Sequence, residues 1–308
     1  MNTNPPRSET KALSFHGYAD CIGIENEVSR VIFTGHGGGR VLEYSFHGRN
    51  VIDHDPEQDG WTLADSSPSI DPCGGRFDIG PEKQIKSHPE LWLGSWKQQI
   101  VNETTVRQES PVDSGLGVQL IRTFQLTPAS SRLKCTQSVI NHGTEDVLVC
   151  FWSRTFAKSG GRCLIPIQGL SSYPKRYITF HEGARIAMLP DDKAVVNRGD
   201  FLEIYPPPQS PKLGFDTSKN WFAYFVDDLM FRKSYEVYDD RRYVDLAGMR
   251  IALWFEEERI EQEAIGPGEL LKPGATHTFS EHWELSDFPT PAPDQALDLT
   301  SLDETFKV

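Results

Sequence analysis

The 308-residue sequence predicts an all-β protein, most simply one large antiparallel β-sandwich. Short segments of alternating polar and apolar residues follow one another along nearly the whole chain, separated by Gly-, Pro- and Asn-containing turns. Hydrophobic residues make up 38% of the chain and charged residues 24%, a composition that suits a packed core. No segment longer than about ten residues has helical periodicity, and no repeat of fixed period is present, so a propeller or solenoid is disfavoured.

The predicted strands begin at Cys21–Ile24, pass through a meander and continue to residue 285. The meander covers VSRVIFTGHGGGRVLEYSFHGRNVI, in which residues 36–39 and 47–49 are turns. Residues 53–73 are expected to form a surface loop, which GGRFDIGPE and the patch HPELWLGSWKQQ follow. Later strands are expected in VQLIRTFQL, RLKCTQSVINH and DVLVCFWSRTFA, and then at Arg176–Phe180, Ala184–Met188, Phe201–Ile204, Trp221–Val226, Leu229–Tyr235, Met249–Phe255 and His277–Leu285.

These strands define the expected domain organisation. Residues 1–12 are predicted to be a flexible N-terminal arm, and residues 13–287 a single sandwich domain without an internal linker. Residues 288–308 are rich in Pro and Asp and are expected to lie over the surface as a tail.

Charge and cysteine usage limit the partners and the compartment. The net charge of −13, without a local block of Lys or Arg, argues against nucleic acid or an anionic membrane as partner. The five cysteines form no CxxC pair, which indicates free thiols in a reducing compartment rather than a zinc finger. The N-terminal segment has no apolar core of a signal peptide, and no apolar run is long enough to span a membrane. A soluble, cytoplasmic protein is therefore expected. The sequence leaves its oligomeric state open.

The densest group of candidate functional residues lies in RIEQEAIGPGELLKPGATHTFSEHWEL, residues 259–285. Strand alternation places Glu261 and Glu263 on one face, and Ile260 and Gln262 on the other. The sequence is expected to turn at its Gly-Pro and Pro-Gly pairs. Two carboxylates on a face that packs inward are costly unless they are partnered. The pair therefore indicates either a functional cleft or the solvated outer face of a sheet.

Three stretches resemble the galactose mutarotase-like (aldose 1-epimerase-like) superfamily of β-supersandwiches, in particular a divergent branch. They are GGGRVLEYSFHGRNVI, VINHGTEDVLVCFWSRTF, and IEQEAIGP with LLKPGATHTFSEHWEL. The resemblance implies a supersandwich that holds a sugar in a concave cleft. It also implies that Glu261 is the general base at the anomeric hydroxyl, and that Arg76 holds sugar hydroxyls. Glu263 would raise the pKa of Glu261 or assist it.

The sequence departs from the superfamily at the general acid. The acid histidine of the superfamily lies on the strand after the Asn-Gly turn, where this chain has Trp152-Ser153-Arg154-Thr155. His88 lies near the place of a second superfamily histidine, and His282, beside Glu281, is another candidate. The identity of the acid therefore stays open between these two histidines.

Aromatic and basic residues complete the candidate site. Trp92 and Trp152 are expected to stack on a sugar ring, with core packing as the alternative. Arg154 would orient hydroxyls beside Arg76, and Glu281 is a further expected contact. The sequence assigns no cofactor and no metal. Asp53-His54-Asp55 has ligand-type side chains, but neighbours on an extended chain point opposite ways, so a solvated loop is favoured.

The sequence thus predicts a protein of carbohydrate metabolism that binds a small-molecule carbohydrate. If it is an enzyme, it is an isomerase of the aldose 1-epimerase type that transfers protons at a sugar carbon. Two rivals stay open. One is a non-catalytic carbohydrate-binding domain, which the missing acid histidine favours. The other is a sugar lyase or hydrolase on the same scaffold, in which a carboxylate with Tyr or His abstracts a proton next to a uronate carboxyl.

Overall fold

The predicted antiparallel β-sandwich is confirmed. A computed structural model describes residues 8–64, 69–181, 185–292 and 295–302. These residues form a 12-stranded and a 10-stranded antiparallel sheet, which pack face to face. We call them the front sheet and the back sheet.

The described residues form twenty-two strands and a few single helical turns. In chain order the strands are β1 (Glu9–Phe15), β2 (Tyr18–Glu25), β3 (Ser29–Thr34), β4 (Arg40–Phe46), β5 (Arg49–Asn50), β6 (Gly75–Gly80), β7 (Lys97–Asn102), β8 (Thr105–Glu109), β9 (Val118–Leu126), β10 (Leu133–Asn141), β11 (Val147–Lys158), β12 (Arg162–Pro166), β13 (Ile178–His181), β14 (Arg185–Ala187), β15 (Val195–Asn197), β16 (Phe201–Ile204), β17 (Lys212–Phe215), β18 (Trp221–Val226), β19 (Leu229–Tyr235), β20 (Ile251–Phe255), β21 (Arg259–Leu271) and β22 (Thr276–Asp287). The helical turns are α1 (His36–Gly39), α2 (Pro89–Trp92) and 3-10 turns at Pro56–Gln58, Leu246–Gly248 and Leu299–Ser301.

Strands that are distant in sequence become neighbours in both sheets. The front sheet has the order β1-β2-β3-β4-β6-β11-β21-β20-β17-β13-β14, with β5 beside β4. The back sheet has the order β15-β16-β12-β18-β19-β22-β10-β9-β8-β7. The front sheet therefore has β11 and β21 near its middle, with β6 and β20 on either side of that pair.

The main apolar core lies between the two sheets. Its side chains come from strands whose burial alternates, as in β10, where every second residue from Leu133 is buried. Phe151 of the front sheet stacks on Phe279 of the back sheet, with ring centroids 5.6 Å apart. Trp283, fully buried, is the largest side chain in this layer. Each such side chain contributes roughly 1.5–3 kcal/mol by leaving water, which makes the interior the main source of stability.

The Gly266-Pro267 pair, expected to turn the chain, instead lies inside β21. The bulge is in β21: Cys150 of β11 pairs with Gly268 and Trp152 pairs with Ile265, so Gly266 and Pro267 lie opposite the single residue Phe151. Proline has no N–H for a sheet ladder, and a bulge accommodates it without ending the strand. The expected Pro-Gly turn is present at Gly274, where φ is +78°.

The two chain ends pack more closely than a loose arm and tail would. Glu9–Phe15 form the edge strand β1, whereas residues 1–7 of the predicted arm lie outside the described part of the chain. Phe288, Leu297 and Leu302 of the predicted tail are buried in an apolar cluster against β18 residues such as Phe225. Of the strand predicted at Ala184–Met188, β14 is present, and Ala184 itself is not among the described residues.

All five cysteines are free, as predicted, and all five are buried. Among the described residues, no helix has the length and apolar character needed to cross a membrane.

Candidate functional site

A cleft of about 420 Å³ opens on the face of the front sheet that points away from the back sheet. Carboxylates and cations dominate its walls, together with three tryptophans. The lining residues are Asp71, Asp78, Ile79, Glu82, Ile85, Lys86, Ser87, His88, Trp92, Trp152, Arg154, Lys212, Trp254, Glu256, Glu261 and Glu263.

Backbone pairing of three adjacent strands brings the central charged residues together. Arg154 of β11 lies opposite Arg76 of β6 on one side and opposite Glu263 of β21 on the other. Glu261 is two residues from Glu263 on the same face of β21, because side chains on a strand alternate. The charges therefore meet because the sheet places β6, β11 and β21 side by side.

Two glycines before Arg76 allow β6 to pack closely enough to lie beside β11. Gly75 lies against the buried ring of Trp283, and a Cβ atom there would lie 2.7 Å from Cη2 of that ring. Gly74 has φ of +94°, and a Cβ atom would lie 2.4 Å from the carbonyl oxygen of Val41. The close approach explains why two glycines precede Arg76.

Glu261 is held as an ionised carboxylate. Arg154 donates to both of its oxygens, with distances of 2.6 Å from Nε to Oε1 and 3.0 Å from Nη2 to Oε2. Nη2 of Arg76 lies 4.0 Å from the same Oε1. Burial favours the neutral acid, but the Arg154 guanidinium outweighs burial and holds the pKa of Glu261 below its usual value. The expectation of a raised pKa at Glu261 is therefore wrong.

Glu263, in contrast, favours the protonated, neutral form. Its side chain is buried, and Arg154 Nε lies 3.7 Å from its Oε1, too far for a hydrogen bond. Within the described residues its Oε2 has no hydrogen-bond partner. Burial, reinforced by the charge of Glu261, raises the pKa of Glu263 to about 8. At neutral pH the two neighbouring glutamates therefore share one proton, which Glu263 carries.

His88 and Asp78 form a second charged pair at the cleft wall. His88 immediately precedes α2, and its Nε2 lies 2.8 Å from Asp78 Oδ1 while its Nδ1 lies 2.6 Å from the carbonyl oxygen of Lys86. The Asp78 carboxylate and the Lys86 carbonyl are both hydrogen-bond acceptors. Only the doubly protonated imidazolium of His88 can donate to both of them. Burial opposes the charge, but the hydrogen bond to Asp78 prevails and raises the pKa of His88.

Aromatic rings and a lysine form the remaining walls. The guanidinium carbon of Arg154 lies 4.9 Å from the Trp152 ring centroid, and Lys212 Nζ lies 5.1 Å from it. Lys212 Nζ also donates to Glu82 Oε2 at 2.8 Å. Thus the two cations beside Trp152 are each matched by a carboxylate of the cleft.

Solved structures of similar architecture include galactose mutarotase-like proteins. A galactose mutarotase-like protein from Lactobacillus casei ATCC 334 matches with a TM-score of 0.60 and 12% identity, over 86% of this chain and 100% of that one. A second one, from Clostridium acetobutylicum, matches with a TM-score of 0.59 and 10% identity, over 92% and 99% of the two chains. The Slr1438 protein from Synechocystis sp. PCC 6803 matches with a TM-score of 0.58 and 13% identity, over 93% and 99%.

This chain has the galactose mutarotase-like fold. The resemblance predicted from the sequence is thereby confirmed at the level of the fold. No protein-family model matches the sequence, and no curated protein matches it either. Identities of 10–13% fit a divergent branch of this fold.

In this mutarotase-like sandwich, most of the predicted site residues meet in one cleft. Its lining includes the predicted residues Glu261, Glu263, His88, Arg154, Trp92 and Trp152. Arg76 is only 1% exposed and is not part of the lining. Its guanidinium instead donates to Asp71 at 2.6 Å, so Arg76 supports the lining carboxylates from below.

The structure does not bring Glu281 and His282 to the cleft. Both lie on β22, which belongs to the back sheet. Glu281 points into the interior, where Lys233 Nζ lies 3.3 Å from its Oε2 and both side chains are fully buried. His282 points to the other face, and burial together with the charge of Arg132 lowers its pKa. These two residues are therefore removed from the candidate site.

The interior cluster around Lys233 lies directly behind the cleft. Its ammonium donates to Ser153 Oγ at 3.1 Å, Thr155 Oγ1 at 3.0 Å and the Gln262 carbonyl at 3.2 Å. Ser153 and Thr155 flank Arg154, and Gln262 lies between the two glutamates. One buried cation thus ties together the inward-facing residues of both cleft strands.

Sequence reasoning missed several lining residues. Asp78 and Glu82 lie in GGRFDIGPE, and alternation along β6 would have placed Asp78 on the face of Arg76. No sequence pattern indicated Asp71 or Lys212. Asp71 reaches the cleft from a loop, and Lys212 reaches it from the distant strand β17.

Proposed function

We propose that the cleft binds an aldose and catalyses proton transfer at its anomeric centre, as an aldose 1-epimerase does. The observation that carries this proposal is the pair of buried glutamates sharing one proton, Glu261 ionised by Arg154 and Glu263 raised to a pKa of about 8. The galactose mutarotase-like fold supports a sugar-related role through likeness alone.

The chemistry needs an acceptor and a donor close together. Ring opening removes the proton of the anomeric hydroxyl and adds a proton to the ring oxygen, and both oxygens are bonded to the same carbon. The carboxylate of Glu261 is the acceptor, as the sequence predicted, and the neutral carboxyl of Glu263 is the donor. A donor whose pKa lies near the working pH is well suited to general acid catalysis.

His88 is the alternative donor. Its imidazolium lines the same cleft and is held by Asp78 at 2.8 Å. Substituting His88 and Glu263 separately distinguishes the two donors. The larger loss of kcat identifies the group that protonates the ring oxygen.

The charge balance of the cleft favours a neutral sugar. Arg154, Lys212 and His88 are each engaged by a carboxylate, at 2.6, 2.8 and 2.8 Å respectively. A sugar phosphate or uronate needs cations that are free to bind it. Among the described lining residues, only Lys86 is a cation without a carboxylate within ion-pair distance.

The test follows the interconversion of freshly dissolved α-anomers of a panel of neutral aldoses, by polarimetry or by NMR exchange. We expect wild-type protein to accelerate at least one, and Glu261→Gln and Glu263→Gln each to reduce kcat by about 10²-fold or more. Glu284→Gln is the matched control, because Glu284 pairs with Arg232 on the back sheet, outside the cleft. Full activity in Glu261→Gln, or an equal loss in the control, would contradict the assignment.

The same experiment distinguishes the rivals. Titration of the same sugars shows whether they bind, and binding without acceleration selects the non-catalytic carbohydrate-binding domain. An unsaturated product that absorbs in the ultraviolet, formed from a uronate, selects the lyase. Either result replaces the epimerase proposal.

A further inference from the structure

A cluster of metal-ligating side chains lies at the edge of the front sheet, outside the cleft. It begins at the two-residue turn His16-Gly17 between β1 and β2, where φ is +45° and +76°. The carbonyl oxygen of His16 accepts the amide of Gly60 at 3.0 Å. A Cβ atom on Gly17 would lie 2.7 Å from that same amide nitrogen, so the turn packs tightly against the chain at residue 60.

Three side chains converge beside this turn. His54 Nε2 lies 2.8 Å from Asp59 Oδ1, and His16 Nδ1 lies 3.9 Å from the same oxygen. The imidazole rings of His16 and His54 stack with centroids 3.6 Å apart and 14° between their planes. One potential ligand atom from each residue lies within 4.8 Å of the other two.

The chemistry of this cluster suits a transition-metal ion. Zinc binds neutral imidazole nitrogen and carboxylate oxygen at about 2.0–2.2 Å, in a tetrahedron whose ligand atoms are therefore about 3.3 Å apart. The observed separations of 2.8 and 3.9 Å lie on either side of that value.

We propose that His16, His54 and Asp59 form a binding site for a divalent transition-metal ion of the zinc type, with solvent as the remaining ligand. The side chains are 25, 30 and 38% exposed, so the site is shielded but reachable from solvent. A bound ion would join the β1–β2 turn to the loop at residues 53–60. The site is structural in character, because it ties an edge strand to a loop.

The structure selects different ligands from those that the local sequence suggests. Of Asp53-His54-Asp55, only His54 belongs to the cluster. The carboxylate of Asp55 is already engaged, since it accepts the Glu57 amide and Nε2 of Gln58, each at 2.9 Å. Ligands 38 residues apart, His16 and His54, meet only because of the fold.

The chain contains a second turn of the same kind that serves as a control. Phe46-His47-Gly48 joins β4 to β5 with φ of +47° at His47 and +76° at Gly48. Phe46 and His47 have ring centroids 4.2 Å apart, comparable with 3.9 Å for Phe15 and His16. His47 forms no ion pair with any described residue, and it belongs to no such cluster.

The experiment titrates Zn²⁺ into the untagged full chain by calorimetry, with Co²⁺ absorption reporting coordination geometry. We expect one Zn²⁺ per chain and tetrahedral Co²⁺ bands. His16→Asn keeps the turn, because Asn tolerates positive φ, but it removes one ligand and should weaken Zn²⁺ binding at least about tenfold. His47→Asn should bind Zn²⁺ as the wild type does.

Two results would overturn the proposal. One is the absence of stoichiometric Zn²⁺ binding by the wild type, and the other is equal affinity in His16→Asn and His47→Asn. Circular dichroism and melting without metal show whether His16→Asn has kept its fold. If it has not, Asp59→Asn decides, since it leaves the turn intact and must also weaken binding at least about tenfold.

Discussion

The raised pKa of Glu263 predicts that Glu263→Gln changes the pH dependence of stability. In the folded chain Glu263 keeps its proton up to about pH 8, whereas the unfolded value is 4.5. Folded protein thus binds a proton that the unfolded chain has released. This stabilisation is complete below pH 4.5 and is lost as the pH rises to about 8.

The magnitude follows from the size of the shift. Each pH unit in this window lowers the unfolding free energy by about 1.4 kcal/mol, so three units from pH 5 to pH 8 remove roughly 4 kcal/mol. Relaxation and water entry around an ionised Glu263 limit the loss, and we expect about 2–4 kcal/mol. Glutamine has nearly the same shape and does not titrate, so Glu263→Gln lacks this dependence.

The assay is urea unfolding of both proteins at pH 5 and pH 8. The difference in unfolding free energy, variant minus wild type, should move in favour of the variant by about 2–4 kcal/mol between these pH values. In the control Glu284→Gln, a half-buried ion pair of the back sheet is lost, and the difference should stay within about 1 kcal/mol. Parallel curves for wild type and Glu263→Gln would refute the buried, proton-carrying glutamate.

Further predictions concern the other members of the charged groups. Arg154→Met leaves Glu261 buried without its bidentate partner, which should raise the pKa of Glu261. The variant should lose about 3 kcal/mol in urea unfolding at pH 7, and less at pH 4, where Glu261 of the variant is protonated. Lys233→Met leaves Glu281 buried and unpaired and should lower the unfolding free energy by about 3–5 kcal/mol. The double variant Lys233→Met with Glu281→Leu should recover most of that loss in the same assay. If the proposed epimerase activity is present, its kcat/KM should fall above about pH 8 as Glu263 ionises, and a pH–rate profile that stays flat to pH 10 would contradict the donor role.

The sequence by itself determined the features that depend on short-range order. Strand alternation has a period of two residues, so the pattern around Glu261 and Glu263 placed both carboxylates on one face without knowledge of the fold. The same alternation predicted the all-β class and the strand in RLKCTQSVINH, which is β10 with alternating burial. Turn residues marked most strand ends, except at Gly266-Pro267, where a bulge accommodates the proline inside β21.

Only the tertiary structure decided which strands became neighbours. Alternation puts Glu281 and His282 on opposite faces of β22, but it does not show that β22 belongs to the back sheet. Nor could it show that Lys212 reaches the cleft, or that His16 meets His54. The physical reason is that pairing between distant strands depends on packing of the whole interior, whereas alternation depends on adjacent residues alone.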